Sequence, residues 1–86
     1  MRITGRVQGV CYRIWTVKYA TSLGLSGWVR NRMDGSVEAI FCGNQKKIDE
    51  MVEALYQGPS AALVTFMTFD YEKINVKPGF KKIPTL

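Results

Sequence analysis

The stretch with the most chemistry in it is Gly5-Arg6-Val7-Gln8-Gly9-Val10-Cys11-Tyr12-Arg13. Ile3 and Val7 are strand formers, and Gly5 and Gly9 let the backbone turn where a side chain would clash. From Tyr12 onward the apolar spacing lengthens from two to about 3.6. The stretch therefore predicts a strand end, a tight loop and the first turn of a helix. Such a junction leaves several backbone N–H groups unpaired and pointing one way, with the positive end of the helix dipole behind them. That is an anion site before any side chain is counted. The expected donors are the amides of Gln8, Gly9, Val10, Cys11 and Tyr12, and Arg13 adds a planar, permanently charged fork suited to two oxygens of one phosphate. The Asn31 carboxamide, both donor and acceptor, could orient a water in line with a leaving group. The plain alternative is a strand–turn–helix junction whose arginine solvates a surface, with an asparagine that caps a strand end.

This set holds a substrate but does not attack it. The chain has no histidine, which removes imidazole general bases and imidazole zinc ligands. Its two cysteines, Cys11 and Cys42, stand at unrelated positions and predict neither a metal-ligand spacing nor a disulfide framework. A thiol at a helix N-terminus tends toward a lowered pKa, so Cys11 invites a nucleophile role. Cysteine phosphatases, however, place their arginine further from the thiol, at the position held here by Val17. A Cys11→Ser variant is accordingly expected to stay active. What remains suits a substrate that is already reactive. An acyl phosphate fits, because its mixed anhydride carries a good carboxylate leaving group. Catalysis then reduces to positioning and to stabilising charge in the phosphoryl-transfer transition state. The substrate's own phosphate could take the water's proton, which accounts for the missing base.

The stretch from Gly5 to Arg13 resembles the phosphate loop of the acylphosphatases, and Gly27-Trp28-Val29-Arg30-Asn31 resembles that family's second signature. The resemblance continues through Asp34-Gly35-Ser36-Val37-Glu38 and Gly58-Pro59, over most of the chain. It implies an α/β sandwich and matches Arg13 and Asn31 to the family's catalytic arginine and asparagine. It also implies hydrolysis of a small-molecule acyl phosphate to a carboxylate and inorganic phosphate. Phosphate is then expected as a product inhibitor, with no metal and no cofactor required.

Composition sets the frame. A chain of 86 residues has room for one core, so a single domain spanning 1–86 is expected. Its 47% hydrophobic and 22% charged content is that of a globular chain. No apolar run approaches the roughly 18 residues that span a membrane, and the N-terminus lacks the apolar segment of a secretion signal. No membrane association and a cytoplasmic location are the expectations. A net charge of +5 suits either solubility or a field that attracts small anions or nucleic acid.

The positioning elements follow from pattern. Met1 to Arg6 reads as a strand, and Tyr12 to Leu23 as a helix with Ile14, Trp15, Val17, Tyr19, Ala20 and Leu23 on its apolar face. Gly24 stands where a left-handed cap would end that helix, with Leu25 folding back. Gly27 to Arg32 and Ser36 to Cys42 read as strands joined at Asp34-Gly35, a strong hairpin signal. Asn44 is a plausible N-cap, and Ile48, Met51, Val52 and Leu55 then trace the stripe of an amphipathic helix stopped at Gly58-Pro59. Ala62 to Tyr71 is a fourth strand and Gly79 to Ile83 a short fifth. The order predicts an α/β (α+β) sandwich of ferredoxin-like βαββαβ type. Its mostly antiparallel mixed sheet has four to five strands, with two helices on one face.

Two features depart from the family pattern. Leu63-Val64-Thr65-Phe66-Met67-Thr68-Phe69 is nearly continuous apolar sequence; at a sheet edge it would be a pairing template, so self-association through residues 62–69 is expected. Lys82 occupies a place where a core residue is expected, so the last strand either bulges or stops pairing before Pro84. A second function also stays open: a non-catalytic anion- or RNA-binding module on the same scaffold. The chain lacks the aromatic strand motif of RNA-recognition domains, which argues against nucleic acid as a partner.

Overall fold

The computed structural model describes residues 1–68 and 76–85. The elements are β1 (Arg2–Arg6), α1 (Tyr12–Ser22), β2 (Ser26–Asn31), β3 (Val37–Cys42), α2 (Gln45–Gln57), β4 (Leu63–Thr68) and β5 (Phe80–Lys82). They form a five-stranded mixed sheet in the order β4-β1-β3-β2-β5. All neighbours are antiparallel except β2 and β5, which are parallel. This is the expected ferredoxin-like βαββαβ sandwich. The expected fourth strand is found up to Thr68; its continuation to Tyr71 falls outside the described residues.

Each helix ends as its sequence dictates. The N–H groups of Gly24 and Leu25 donate to the carbonyls of Thr21 and Ala20, the reversal that closes α1. The Asn44 side chain accepts from the Lys46 amide at 2.8 Å and starts α2. Met51 and Leu55 are fully buried, with Ile48 packed against them, as the stripe requires.

The face of α1 differs from expectation. The row that enters the core is Tyr12, Thr16 and Ala20, spaced by four, with Trp15, Val17 and Leu23 only partly covered. Ile14 and Tyr19 are 50% and 38% exposed. Six apolar residues cover too wide an arc for one face, since Ile14 stands about 200° round the helix from Tyr12. Thr16 can enter the core because its hydroxyl donates to the Tyr12 carbonyl at 2.8 Å, leaving no unpaired polar group.

The core joins both helices to one face of the sheet through Ile3, Val29, Val37, Ala39 and Met67. At Gly27 a Cβ would be driven into the Ile40 carbonyl, so only glycine fits. Gly27 lies opposite Phe41 on one side and Phe80 on the other, and those two rings stack 5.1 Å apart. That stack anchors the three-residue β5. Ile83 then donates its amide to the Val29 carbonyl at 2.9 Å, and pairing stops short of Pro84 with Lys82 exposed.

On the far edge, β4 leaves Leu63 and Phe66 63% and 62% exposed. Among the described residues, no helix is long and apolar enough to cross a membrane.

Candidate active site

β1 and β2 are both antiparallel to β3, so they run the same way and finish at the same end of the sheet. The loop that follows β1 and the last residue of β2, Asn31, therefore meet there, where α1 begins. Strand alternation settles the side. Gly27 and Val29 are buried toward the helices, so Asn31, in step with them, lies on the helix-bearing face. Trp28 and Arg30 lie on the opposite face.

The loop's backbone has the shape of an anion cradle. Gly9 has φ 74° and Cys11 has φ 61° and ψ 24°, two left-handed residues on either side of Val10. Turns of this kind gather successive N–H groups into one concavity. Cys11 is the N-cap of α1, yet no side chain caps that helix and no acidic residue stands in its first turn. The first helical hydrogen bond runs from the Trp15 amide to the Cys11 carbonyl at 3.0 Å. Among the described residues, the amides from Gln8 to Arg13 donate to no protein acceptor. In α2, by contrast, the protein supplies its own cap. At α1 no described side chain takes the acceptor's position.

The cations divide into committed and uncommitted. Arg30 donates through Nε to Glu38 at 2.8 Å, and Arg32 donates to the same carboxylate oxygen at 3.0 Å. The Arg30 guanidinium also sits 4.8 Å over the Trp28 ring. Burial alone would push the Glu38 carboxyl up, but the hydrogen bonds and charges of both arginines outweigh it and hold it below its ordinary value. Both arginines are thereby tied to Glu38 on β3. Arg13, half-buried in the first turn of α1, makes no ion pair among the described residues.

The remaining site residues have distinct surroundings. Gln8 Nε2 donates to the carbonyls of Arg32 at 2.8 Å and Ser36 at 2.9 Å, across the β2–β3 turn. The turn is braced in addition by Asp34, whose carboxylate accepts from the Ser36 amide and hydroxyl; those bonds hold its carboxyl below the usual range. Tyr12 turns its ring into the core and donates its hydroxyl to the Leu55 carbonyl at 2.6 Å. What Gln8 and Tyr12 present to the loop's concavity is thus backbone, not side chain. Asn31 Oδ1 is buried with no hydrogen-bond partner among the described residues. Gly9 and Cys11 are exposed and Val10 is half-buried. The Gln8 brace and the Asp34–Ser36 bonds are not readable as site features from spacing; only the Asp34-Gly35 turn signal pointed toward them.

Among the described residues, no group of three or more His, Cys, Asp or Glu side chains is placed to hold a metal ion.

Comparison with known proteins is in keeping with this geometry. A family model described as Acylphosphatase matches residues 1–82. A protein of Rhodospirillum rubrum named acylphosphatase is 46% identical over 86 residues, covering 100% of this chain and 94% of its own. One of Sinorhizobium medicae with the same name is 52% identical over 82 residues, covering 94% of this chain and 87% of its own. Among solved structures, the crystal structure of acylphosphatase from Bacillus subtilis superposes with a TM-score of 0.90 at 31% identity, over 95% of this chain and 92% of that one.

Proposed function

The chain belongs to the acylphosphatase family, and we propose from that premise that Arg13 and Asn31 are its catalytic residues. As a member it is a hydrolase of the carboxyl–phosphate bond of acyl phosphates. The alternative of a non-catalytic anion- or RNA-binding module is not favoured by that membership.

In the proposed mechanism the amides of Gln8, Gly9, Val10, Cys11 and Tyr12 and the Arg13 guanidinium grip the phosphoryl oxygens. The observation that carries this is an uncapped helix start and an arginine with no ion pair among the described residues, at the sheet end where Asn31 lies. A dianion there gains charge-assisted hydrogen bonds that the fold leaves unmade. Asn31 holds a water opposite the leaving group. The water oxygen bonds to phosphorus as the bond from phosphorus to the acyl oxygen breaks, and the carboxylate leaves with that electron pair. The water's proton passes to a phosphoryl oxygen, so no side-chain base is needed. Inorganic phosphate, the second product, competes for the same cradle.

The substrate is a small-molecule acyl phosphate, and a cytoplasmic setting belongs to the same proposal. We further propose that the chain self-associates along β4. An uncharged edge strand with Leu63 and Phe66 exposed supports this.

The test is steady-state hydrolysis of benzoyl phosphate without added metal. Losing a hydrogen bond to a charged group is worth about 1.5–3 kcal/mol, so Arg13→Ala should lose at least tenfold to a hundredfold in kcat/KM. Asn31→Ala should lose turnover comparably. Near-normal turnover in both folded variants would overturn the assignment.

A further inference from the structure

We infer that Gln8 is a positioning residue: its side-chain amide sets the distance between the phosphate cradle and Asn31. The inference rests on the role proposed for Asn31 and deepens it.

Both N–H bonds of the Gln8 amide are spent across a large sequence gap. One goes to the Arg32 carbonyl at 2.8 Å and the other to the Ser36 carbonyl at 2.9 Å. The amide orientation is fixed by chemistry, since a flipped Gln8 would set its oxygen against two carbonyl oxygens. Those two carbonyls are the closing pair of the β2–β3 turn. The Arg32 amide donates to the Ser36 carbonyl at 2.8 Å, and the Gly35 amide donates to the Arg32 carbonyl at 3.1 Å. Each carbonyl therefore accepts once from the turn and once from Gln8. Ser36 is fully buried and is held in turn by Asp34, so the far end of the brace is rigid.

Position gives the brace its meaning. Gln8 is the first residue of the cradle, and Arg32 directly follows Asn31. β1 and β2 are not neighbours in the sheet; β3 lies between them. No strand pairing ties the loop to the end of β2. Among the described residues, the side-chain bonds of Gln8 are the only ones that span these two segments. With the amide removed, the cradle keeps its backbone and Arg13, while the placement of Asn31 against it loosens. Small errors in the placement of reacting groups are costly. Phosphate grip and water alignment should thus come apart in a Gln8 variant.

The decisive experiment is a double-mutant cycle on benzoyl phosphate hydrolysis with Gln8→Met, Asn31→Ala and the pair, together with the competitive inhibition constant for inorganic phosphate. Two lost hydrogen bonds of ordinary strength correspond to about a tenfold change. Gln8→Met is expected to lower kcat about tenfold, to leave phosphate inhibition within about twofold, and to have almost no further effect on kcat in the Asn31→Ala background. A residue that only stabilises the fold would lower the melting temperature without this dependence on Asn31. Gln8→Glu serves if the Met variant folds poorly. Its carboxylate opposes both carbonyls, so its activity relative to the parent should rise as pH falls and the carboxyl takes up a proton that can be donated to one of them. Normal kcat in Gln8→Met, an equal loss of kcat in the Asn31→Ala background, or parallel loss of kcat and phosphate affinity would overturn the inference. If Asn31→Ala itself turns over normally, it is the role of Asn31 that fails.

Discussion

Tyr12 closes a gap that the sequence creates at the end of α2. In a helix the Leu55 carbonyl would accept from the amide four residues on, but that residue is Pro59, which has no N–H. The Tyr12 hydroxyl donates to this carbonyl instead, at 2.6 Å, from a side chain with 1% of its surface exposed. Tyr12→Phe keeps the ring and its packing and removes only the donor. A buried acceptor left unpaired costs about 1–3 kcal/mol. In a domain of this size each kcal/mol moves the melting temperature by about 4–8 °C. A fall of about 5–20 °C is therefore expected, read by circular dichroism and checked by a lower urea midpoint at unchanged slope. Alkaline pH supplies an independent arm. Burial raises the Tyr12 phenol above its ordinary value. The folded protein thus keeps this proton where the unfolded chain releases it. The phenol's contribution is complete below about pH 10, the unfolded value, and is lost as pH rises toward the folded one. The stability gap between parent and Tyr12→Phe should accordingly narrow above about pH 10. A melting temperature within about two degrees of the parent, with a gap independent of pH, would refute the reasoning.

Glu38→Gln weakens the bonds from Arg30 and Arg32 and should cost about 1 kcal/mol at neutral pH, the pair being partly exposed. Because the folded-state pKa of Glu38 is lowered, its contribution is present above the unfolded value of about 4.3 and lost as pH falls through the folded one, so urea denaturation should show the cost vanishing in acid. Phe66→Lys places a charge on the exposed β4 edge and should abolish concentration-dependent association in light scattering; a parent that stays monomeric at high concentration refutes the edge reading. Inorganic phosphate, bound by the folded state alone, should raise the melting temperature, by an amount equivalent to about 2.7 kcal/mol at a hundred times its dissociation constant. Arg13→Ala should lose most of that gain.

Local rules were legible wherever the interaction they describe is local. Asn44 caps α2, Gly24 and Leu25 close α1, and Asp34-Gly35 turns the hairpin, because each involves partners within a few residues. Periodicity located the buried stripe of α2, where Met51 and Leu55 stand out against polar neighbours. It misjudged α1, where apolar residues surround the helix and packing alone chooses among them: Thr16 is buried and Ile14 is not. Alternation could say that Trp28 and Arg30 oppose Val29 and Asn31, but not which pair meets the helices. That depends on α1 crossing over β2. The cradle from Gln8 to Arg13 was visible as a motif. Its bond to the carbonyls of Arg32 and Ser36 was not, since it depends on sheet order.

Several features that would each destabilise a small domain coincide at one place. Cys11 holds a left-handed backbone without being glycine, at a cost of about 1–2 kcal/mol. The helix it opens has no side-chain cap, an omission worth about another 1 kcal/mol. Among the described residues, half-buried Arg13 makes no ion pair and Asn31 Oδ1 is a buried acceptor with no partner. The next residue, Arg32, also leaves its Nε buried without a partner among the described residues, while elsewhere the chain caps α2, closes α1 and pairs Arg30 with Glu38. Departures concentrated at a single sheet end mark the place where the sequence is fitted to something other than folding. In the proposed site a phosphoryl group would supply what is missing there: an acceptor for the loop amides and a counter-charge for Arg13. An ordered water would supply a donor to Asn31. In the proposed mechanism binding and catalysis draw on interactions that the fold leaves unmade, which would let a domain with no imidazole hold its donors in place before the substrate arrives.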